Sequence, residues 1–411
     1  MSAPHPEVSG PTDSARLFWS RRRGKMLVLA IVVMAAIAAL RLPSAFGILA
    51  RAGFYGDVPK IFHDLVPRWF AGLPVYAYSY LAVHPPATYA LMWPVFGPLD
   101  ADTARAVWIA LSIAAIGALV LISVRESLAD SADERLFAAL MPVCMYAMFF
   151  TVRSGQLGVL LLPLLVGALT ILKRHAPSWK RDAAAAMLLL IALVKPTVAA
   201  PFIWIALFLP GGLRPVLLAS FGYAALTMIA LGFQPQDPAT LFREWQGRTE
   251  DLAATGGSAN LHRSMTRFAL ESWLLPVSLI LLASLGWWTH RNRKADLWLL
   301  IGVAAIFARF WTYHRQYDDV LLLLPAIALF RLTKHAQAGD GADVKSGVLL
   351  ALIVATWLLP INLLTTRRFH FLVVAPIMLL WIATAIFLAW QARARERLRN
   401  STGVPEFRAA V

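Results

Sequence analysis

Three groups of residues in this chain have the types and settings that chemistry at a membrane surface requires. Asp57 follows a Tyr55-Gly56 turn and precedes an amphipathic run from Val58 to Phe70. A carboxylate so placed either caps a helix N-terminus, worth about 1 kcal/mol, or takes a proton from an attacking hydroxyl as a general base. Asp64, inside the same run, could fill that role, or it is solvated or paired with Arg68. Lys195-Pro196 interrupts the apolar run 183–210. A lysine there is a point charge suited to a lipid phosphate, and the proline frees backbone groups beside it. The plain alternative is a kink with a lysine reaching for the interface. The third group is Trp311-Thr-Tyr313-His314-Arg315-Gln-Tyr317-Asp318-Asp319. Interfacial aromatics commonly form a belt, but a His-Arg pair beside two carboxylates goes beyond one.

His84, at the head of His84-Pro85-Pro86, and the turn Arg153-Ser-Gly-Gln156 complete the set. Ionisable groups at the ends of apolar segments are costly, so each is a functional candidate with a partner nearby. Asp57 is the candidate base. Lys195, His314, Arg315, His84, Arg153, Gln156 and Tyr313 are the candidate substrate-binding residues. The pairs Asp57–Asp64 and Asp318–Asp319 could hold a divalent cation, but no metal and no cofactor is expected. There is no Walker loop, Rossmann glycine pattern or zinc spacing, and Cys144 is the lone cysteine.

The elements that must position these groups are membrane helices. The chain has 411 residues, 59% of them hydrophobic, against roughly 45–50% in a soluble domain. Apolar runs of about 20 residues recur along its length, the mark of a polytopic helical membrane protein. The net charge of +15 is gathered between those runs, at Arg21–Lys25, Lys173-Arg174, Lys180-Arg181, Arg291–Lys294 and Arg393–Arg399. That is the pattern of cytosolic loops, not of a nucleic-acid-binding face. The basic start followed by Met26–Leu40 is shaped like a signal peptide, but the many later spans favour an uncleaved first helix.

The charge clusters set the expected threading. Residues 1–25 form a cytosolic basic tail, 26–392 a transmembrane domain and 393–411 a second cytosolic tail. Within the domain, 52–83 is an outer loop, 234–271 another and 312–319 an outer turn. The segment 84–98 is only 15 residues with four prolines. It reads as a re-entrant hairpin, since a full span there would put Lys173–Arg181 outside. The run 183–210 reads as two helices meeting at Lys195-Pro196. The total is about 12 crossings, plus juxtamembrane helices on the outer side. No internal repeat is evident.

In order, these motifs resemble those of glycosyltransferase family 87. The matching elements are Asp57, Gly72-Leu-Pro-Val-Tyr76, His84-Pro85-Pro86, Pro98-Leu99, Ser154-Gly155-Gln156, Lys195-Pro196 and Trp311–Pro325. Family members commonly have Tyr where this chain has His84. The resemblance implies an all-α GT-C bundle that uses polyprenyl-phosphate sugars, in a family that includes phosphatidylinositol-mannoside mannosyltransferases. It implies inverting transfer with Asp57 as base. Lys195, Arg315 and His314, with His84 or Arg153, would face the leaving phosphate. The expected location is the bacterial plasma membrane, with the site on the extracytoplasmic side. The expected partners are a polyprenyl-phosphate-linked donor, with mannose the first guess, a glycolipid or glycan acceptor, and membrane lipids. The rival reading is a transporter or lipid flippase, which would favour inverted repeats and charges near the bilayer midplane.

Overall fold

The computed structural model describes residues 11–51, 57–255, 261–335, 342–359 and 370–402. All regular structure among them is helical. The path begins with α1 (Pro11–Leu49), α2 (Asp57–Phe70), α3 (Pro86–Phe96) and α4 (Ala101–Glu126). It continues through α5 (Ala132–Cys144), α6 (Tyr146–Arg153), α7 (Gly158–Arg174), α8 (Trp179–Ala192), α9 (Pro196–Phe208) and α10 (Leu213–Leu231). The polar α11 (Pro238–Thr255) and α12 (Leu261–Arg267) precede α13 (Leu274–Arg291) and α14 (Leu297–Phe310). A 3-10 turn, Gln316–Leu322, leads into α15 (Leu323–His335), followed by α16 (Ala342–Trp357) and α17 (His370–Thr402).

Among the described residues, five helical stretches are long and apolar enough to cross a bilayer: Gly24–Leu49, Ala101–Glu126, Leu213–Leu231, Glu271–Arg291 and Val373–Arg395. The pair α5–α6, bent by 46°, makes a sixth if counted as one span. The remaining apolar helices are shorter, with 14 residues in α8, 13 in α9, 14 in α14 and 13 in α15. At 1.5 Å per residue they reach about 20 Å, against about 30 Å of hydrocarbon. Of these, α9, α14 and α15 are inner helices, whereas α8 exposes one face. Leu297 to Ala305 of α14 and Leu323 to Leu329 of α15 are buried without a break, as expected for helices apolar on every side. The long helices form a rim, and a third or less of each span is buried.

Side-chain bonds distinguish the two ends of the bundle. At one end Arg174 pairs with Glu126 at 2.6 Å, Arg331 with Asp296 at 3.3 Å and Lys334 with Glu134 at 2.5 Å. Arg181 pairs with Asp182 there at 2.7 Å, and Arg214 reaches the same carboxylate at 3.1 Å. This basic-loop end gathers the connections 126–132, 174–179, 208–213 and 291–297. The other end gathers α2, the α6–α7 turn, the α8–α9 break and the 3-10 turn.

On α2, Phe62, Leu65, Val66 and Trp69 are buried while Asp64 is exposed, the spacing of a one-sided helix. Trp69 anchors it. Its ring stacks on Tyr89 at 4.5 Å, and its Nε1 donates to the Ala230 carbonyl at 2.9 Å. Trp69→Ala would cost roughly 3–5 kcal/mol and unseat the helix. The 84–98 segment is a single helix, α3, and not a hairpin. Pro85 is extended and Pro86 takes the first helical position, which suits its missing N–H. Eleven residues rise about 16 Å, too little to span. Arg41, inside the first span, is bound into the core. Its guanidinium donates to the carbonyls of Cys144 at 3.1 Å, Trp357 at 2.7 Å and Leu359 at 2.8 Å.

Candidate active site

The break between α8 and α9 is where the site begins. Pro196 opens α9 and Lys195 holds its N-cap position. The carbonyls that the break and Pro201 free are taken by side chains from elsewhere. Thr88 Oγ1 donates to the Val194 carbonyl at 2.9 Å, and Trp311 Nε1 donates to the Thr197 carbonyl at 2.8 Å. Irregular backbone inside a membrane protein survives only when satisfied in this way. The Lys195 ammonium donates to Asp318 Oδ1 at 2.5 Å and lies 5.4 Å from the centre of the Tyr317 ring.

Asp318 stands in the 3-10 turn and organises the residues around it. Its second oxygen accepts from His314 Nδ1 at 3.0 Å and from the Arg315 backbone N–H at 3.2 Å. With Nδ1 donating, His314 Nε2 is left to accept from the Thr312 hydroxyl at 3.1 Å. Burial alone would raise the Asp318 carboxyl, but Lys195 and His314 outweigh it and hold the group below the usual carboxylate range. His314 is lowered from its usual value, because burial outweighs Asp318, so it stays neutral. The neighbouring Asp319 accepts from Arg309 and from the Tyr146 hydroxyl. Burial wins there, and its carboxyl is raised. Arg315 Nε donates to the Tyr313 hydroxyl.

The α6–α7 turn joins this cluster to α2. Gly155 has φ +58, a conformation that suits glycine at a helix C-terminus. The Gln156 N–H returns to the Thr151 carbonyl at 2.8 Å, and the Gly155 N–H to Val152 at 3.0 Å. A Cβ on Gly155 would lie 2.6 Å from Pro59 Cδ, so the turn touches the first turn of α2. Thr151 Oγ1 donates to the Tyr317 carbonyl at 2.8 Å, and a Cβ on Gly158 would lie 3.0 Å from Val320. The same turn therefore contacts both α2 and the 3-10 turn. Asp57 is the first residue of α2; its side chain lies outside the described residues.

His84 stacks against Phe62 with ring centres 4.9 Å apart, and its carbonyl accepts from the Tyr76 hydroxyl at 2.8 Å. Burial, with Lys195 nearby, pushes its imidazole down to about 3, so it is a neutral group. The polar helices close over one side of the site. Trp245 Nε1 donates to the Val83 carbonyl at 2.9 Å, and Arg248 Nε to that of Tyr76 at 2.7 Å. His262 Nε2 lies 2.8 Å from Ser278 Oγ.

The expected residues thus fall into layers. Lys195, His314, Arg315 and Tyr313 share the Asp318 cluster. The Lys195 side chain is 16% exposed, while those of Asp318 and His314 are 3% and 0% exposed. The lysine is partly accessible, as are Tyr313 and Arg315, and the buried Asp318 and His314 are its support. Gln156 is buried and Arg153 exposed on the adjoining turn, and His84 is half-buried nearby. Among the described residues no three His, Cys, Asp or Glu side chains are grouped to hold a metal. Asp318 and Asp319 each hold a different basic partner. The site also contains Arg309 and Tyr146, which were not among the expected substrate-binding residues, and Asp318 and Asp319, which the sequence offered within the Trp311–Asp319 group and as a cation pair but not as the support of Lys195. An ammonium at an accessible edge, fixed by a buried carboxylate, is suited to an anionic phosphate and to the charge that develops on one.

The sequence model of glycosyltransferase family 87 matches residues 82–323, more than half of the chain. The His84-Pro85-Pro86, Ser154–Gln156, Lys195-Pro196 and Trp311–Asp319 elements fall inside that range, whereas Asp57 and Gly72–Tyr76 precede it. No curated protein and no solved structure matches the chain.

Proposed function

The chain belongs to glycosyltransferase family 87 and is a membrane glycosyltransferase, and on that premise we propose that its donor is a polyprenyl-phosphate-linked sugar. The sugar is mannose in the first instance, and the acceptor is a glycolipid or glycan. The reaction inverts the anomeric centre. Asp57 takes the proton of the acceptor hydroxyl, whose oxygen bonds to the anomeric carbon. The bond from that carbon to the phosphate oxygen breaks, and its electron pair stays on the leaving polyprenyl phosphate. Lys195 meets the charge that develops there, with Arg315 beside it and Gln156, Arg153, Tyr313 and His84 lining the approach. His314 contributes through Asp318.

The observation that carries this reading is the Lys195–Asp318 pair at 2.5 Å. It lies at the end of the bundle where the Gly155 turn contacts Pro59, two residues after Asp57. The shorter inner helices complete their crossings through connections buried in the bundle, about 12 crossings in all with the long ones, in a GT-C-like arrangement. The basic-loop end faces the cytosol, and the site opens on the extracytoplasmic side of a bacterial plasma membrane.

The test is transfer of radiolabelled sugar from polyprenyl-phosphate-mannose to a membrane lipid extract, with wild type beside Asp57→Asn. Transfer by the wild type alone is the expected result. Transfer by both would remove Asp57 as the base. Transfer by neither would discard mannose and send the assay to other lipid-linked sugars.

A further inference from the structure

Asp318 already occupies an anion site. An ammonium, a ring N–H and a backbone N–H converge on its carboxylate, from Lys195 at 2.5 Å, His314 at 3.0 Å and Arg315 at 3.2 Å. A bound phosphate would draw on donors of the same kind. The carboxylate is buried in the 3-10 turn with a side chain only 3% exposed, whereas Lys195 is 16% exposed on a flexible stem. Lys195 can therefore serve two anions, and Asp318 cannot withdraw.

We propose that Asp318 is a resident counter-ion that sets the preference of Lys195 between the two charge states of the lipid phosphate, and so hastens departure of the spent lipid. The proposal rests on the reading of Lys195 as the ligand of the donor phosphate. The donor is a phosphodiester with one negative charge. The monoester left after transfer carries about −1.5 to −2 at neutral pH. Lys195 and Asp318 together are neutral, and His314 adds no charge. A phosphate oxygen bonded to the ammonium on its free side lies roughly 5 Å from the Asp318 carboxylate. At that range the additional charge of the monoester is repelled by the carboxylate in a medium far less polar than water. The spent lipid is thereby denied the tighter grip that its extra charge would otherwise win. Asp319 does not share this role, because Arg309 and Tyr146 hold it.

The test compares two probes, farnesyl phosphate and its methyl diester, binding to the purified full-length protein by calorimetry. The wild type is expected to bind them within about threefold of each other, and Asp318→Asn to bind both more tightly but the monoester more so, giving it a preference of at least about tenfold over the diester. In the same variant, steady-state turnover slows behind a first-turnover burst. Equal loss of both ligands in Asp318→Asn would overturn the proposal, leaving Asp318 a positioning residue for Lys195. Unchanged affinity for both probes in Lys195→Ala would overturn it differently, by removing the phosphate role of Lys195 itself. If Asp318→Asn does not fold, the wild type alone decides. A monoester preference of about tenfold or more there would sink the idea.

Discussion

Both ends of the bundle bury acidic and basic groups, and they use them to opposite effect. At the basic-loop end Arg181 and Asp182 each have side chains 2% exposed. Arg181 directs its donors to Asp182 and to the carbonyls of His175, Pro210 and Gly211, and Arg214 closes on Asp182 from the other side. The guanidinium is enclosed, and its work is to hold two loops together. At the other end Lys195 bonds Asp318 through one of an ammonium's three N–H groups and remains partly accessible. Buried charge alone therefore does not mark a site. An accessible charge resting on a buried, fully bonded support does.

The contrast can be broken in several places. The largest expected effect is from Asp57→Asn, which should slow transfer by roughly 10²–10⁴-fold with no change in thermal stability. Retained transfer would empty the site end of its base. Next is a matched pair, Lys195→Met and Arg181→Met. Arg181→Met leaves Asp182 buried against a poorer partner set and should cost about 3–5 kcal/mol of stability, with the donor KM of the folded fraction unchanged. Lys195→Met should raise donor KM by about a hundredfold. It should disturb stability less, because Asp318 keeps His314 and a backbone N–H. Thermal melts beside donor kinetics read both. Equal loss of stability with neither KM moved would make the two ends alike.

A second pair sharpens the comparison at smaller scale. Gly155 and Gly211 have φ values of +58 and +69, and a Cβ on either would lie 2.6 Å from a neighbour, Pro59 and Arg181 respectively. Alanine at each should cost about 1–3 kcal/mol. Only Gly155→Ala should also reduce transfer per folded molecule, by about tenfold, because it displaces the start of α2. The smallest effect concerns pH. His84 is held at about 3, below its usual 6.5, so between those values the unfolded chain binds more protons than the folded one. Its contribution to stability is full above about 6.5 and is lost as pH falls toward 3. Transfer should show no His84 inflection between pH 6 and 8, and His84→Gln should flatten the acid limb of the melting curve. An NMR titration of the ring with a midpoint near 6.5 would refute this.

Much of this arrangement is legible in the sequence, for local reasons. The α8–α9 break follows from a proline in an apolar run too long for one helix. The basic clusters at Lys173-Arg174, Lys180-Arg181 and Arg291–Lys294 share the loops opposite Lys195, as charge asymmetry leads one to expect. Partners are harder to read. Lys195 and Asp318 are 123 residues apart, and two adjacent aspartates look alike in a sequence. The 3-10 turn separates them by about 120°, and that geometry alone sends one to Lys195 and the other to Arg309. The prolines of 84–98 suggest two short limbs. In the structure Pro86 starts a helix and Pro94 lies near its end, where neither breaks it. Hydropathy shows where apolar segments lie, but not that the inner ones stop about 10 Å short of a bilayer's thickness.

The bonds of Arg41 set an order for assembly. The first span enters the membrane with a guanidinium whose lasting acceptors have not been made. The Cys144 carbonyl arrives 103 residues later and that of Trp357 arrives 316 residues later. At about 5–20 residues per second of synthesis, the second wait is roughly 15–60 s. During it the charge must be sheltered by the insertion machinery or by α5, since hydrocarbon will not hold it cheaply. The end of α16 therefore supplies the last acceptors of Arg41, and a chain truncated before Trp357 should stay longer with the insertion machinery.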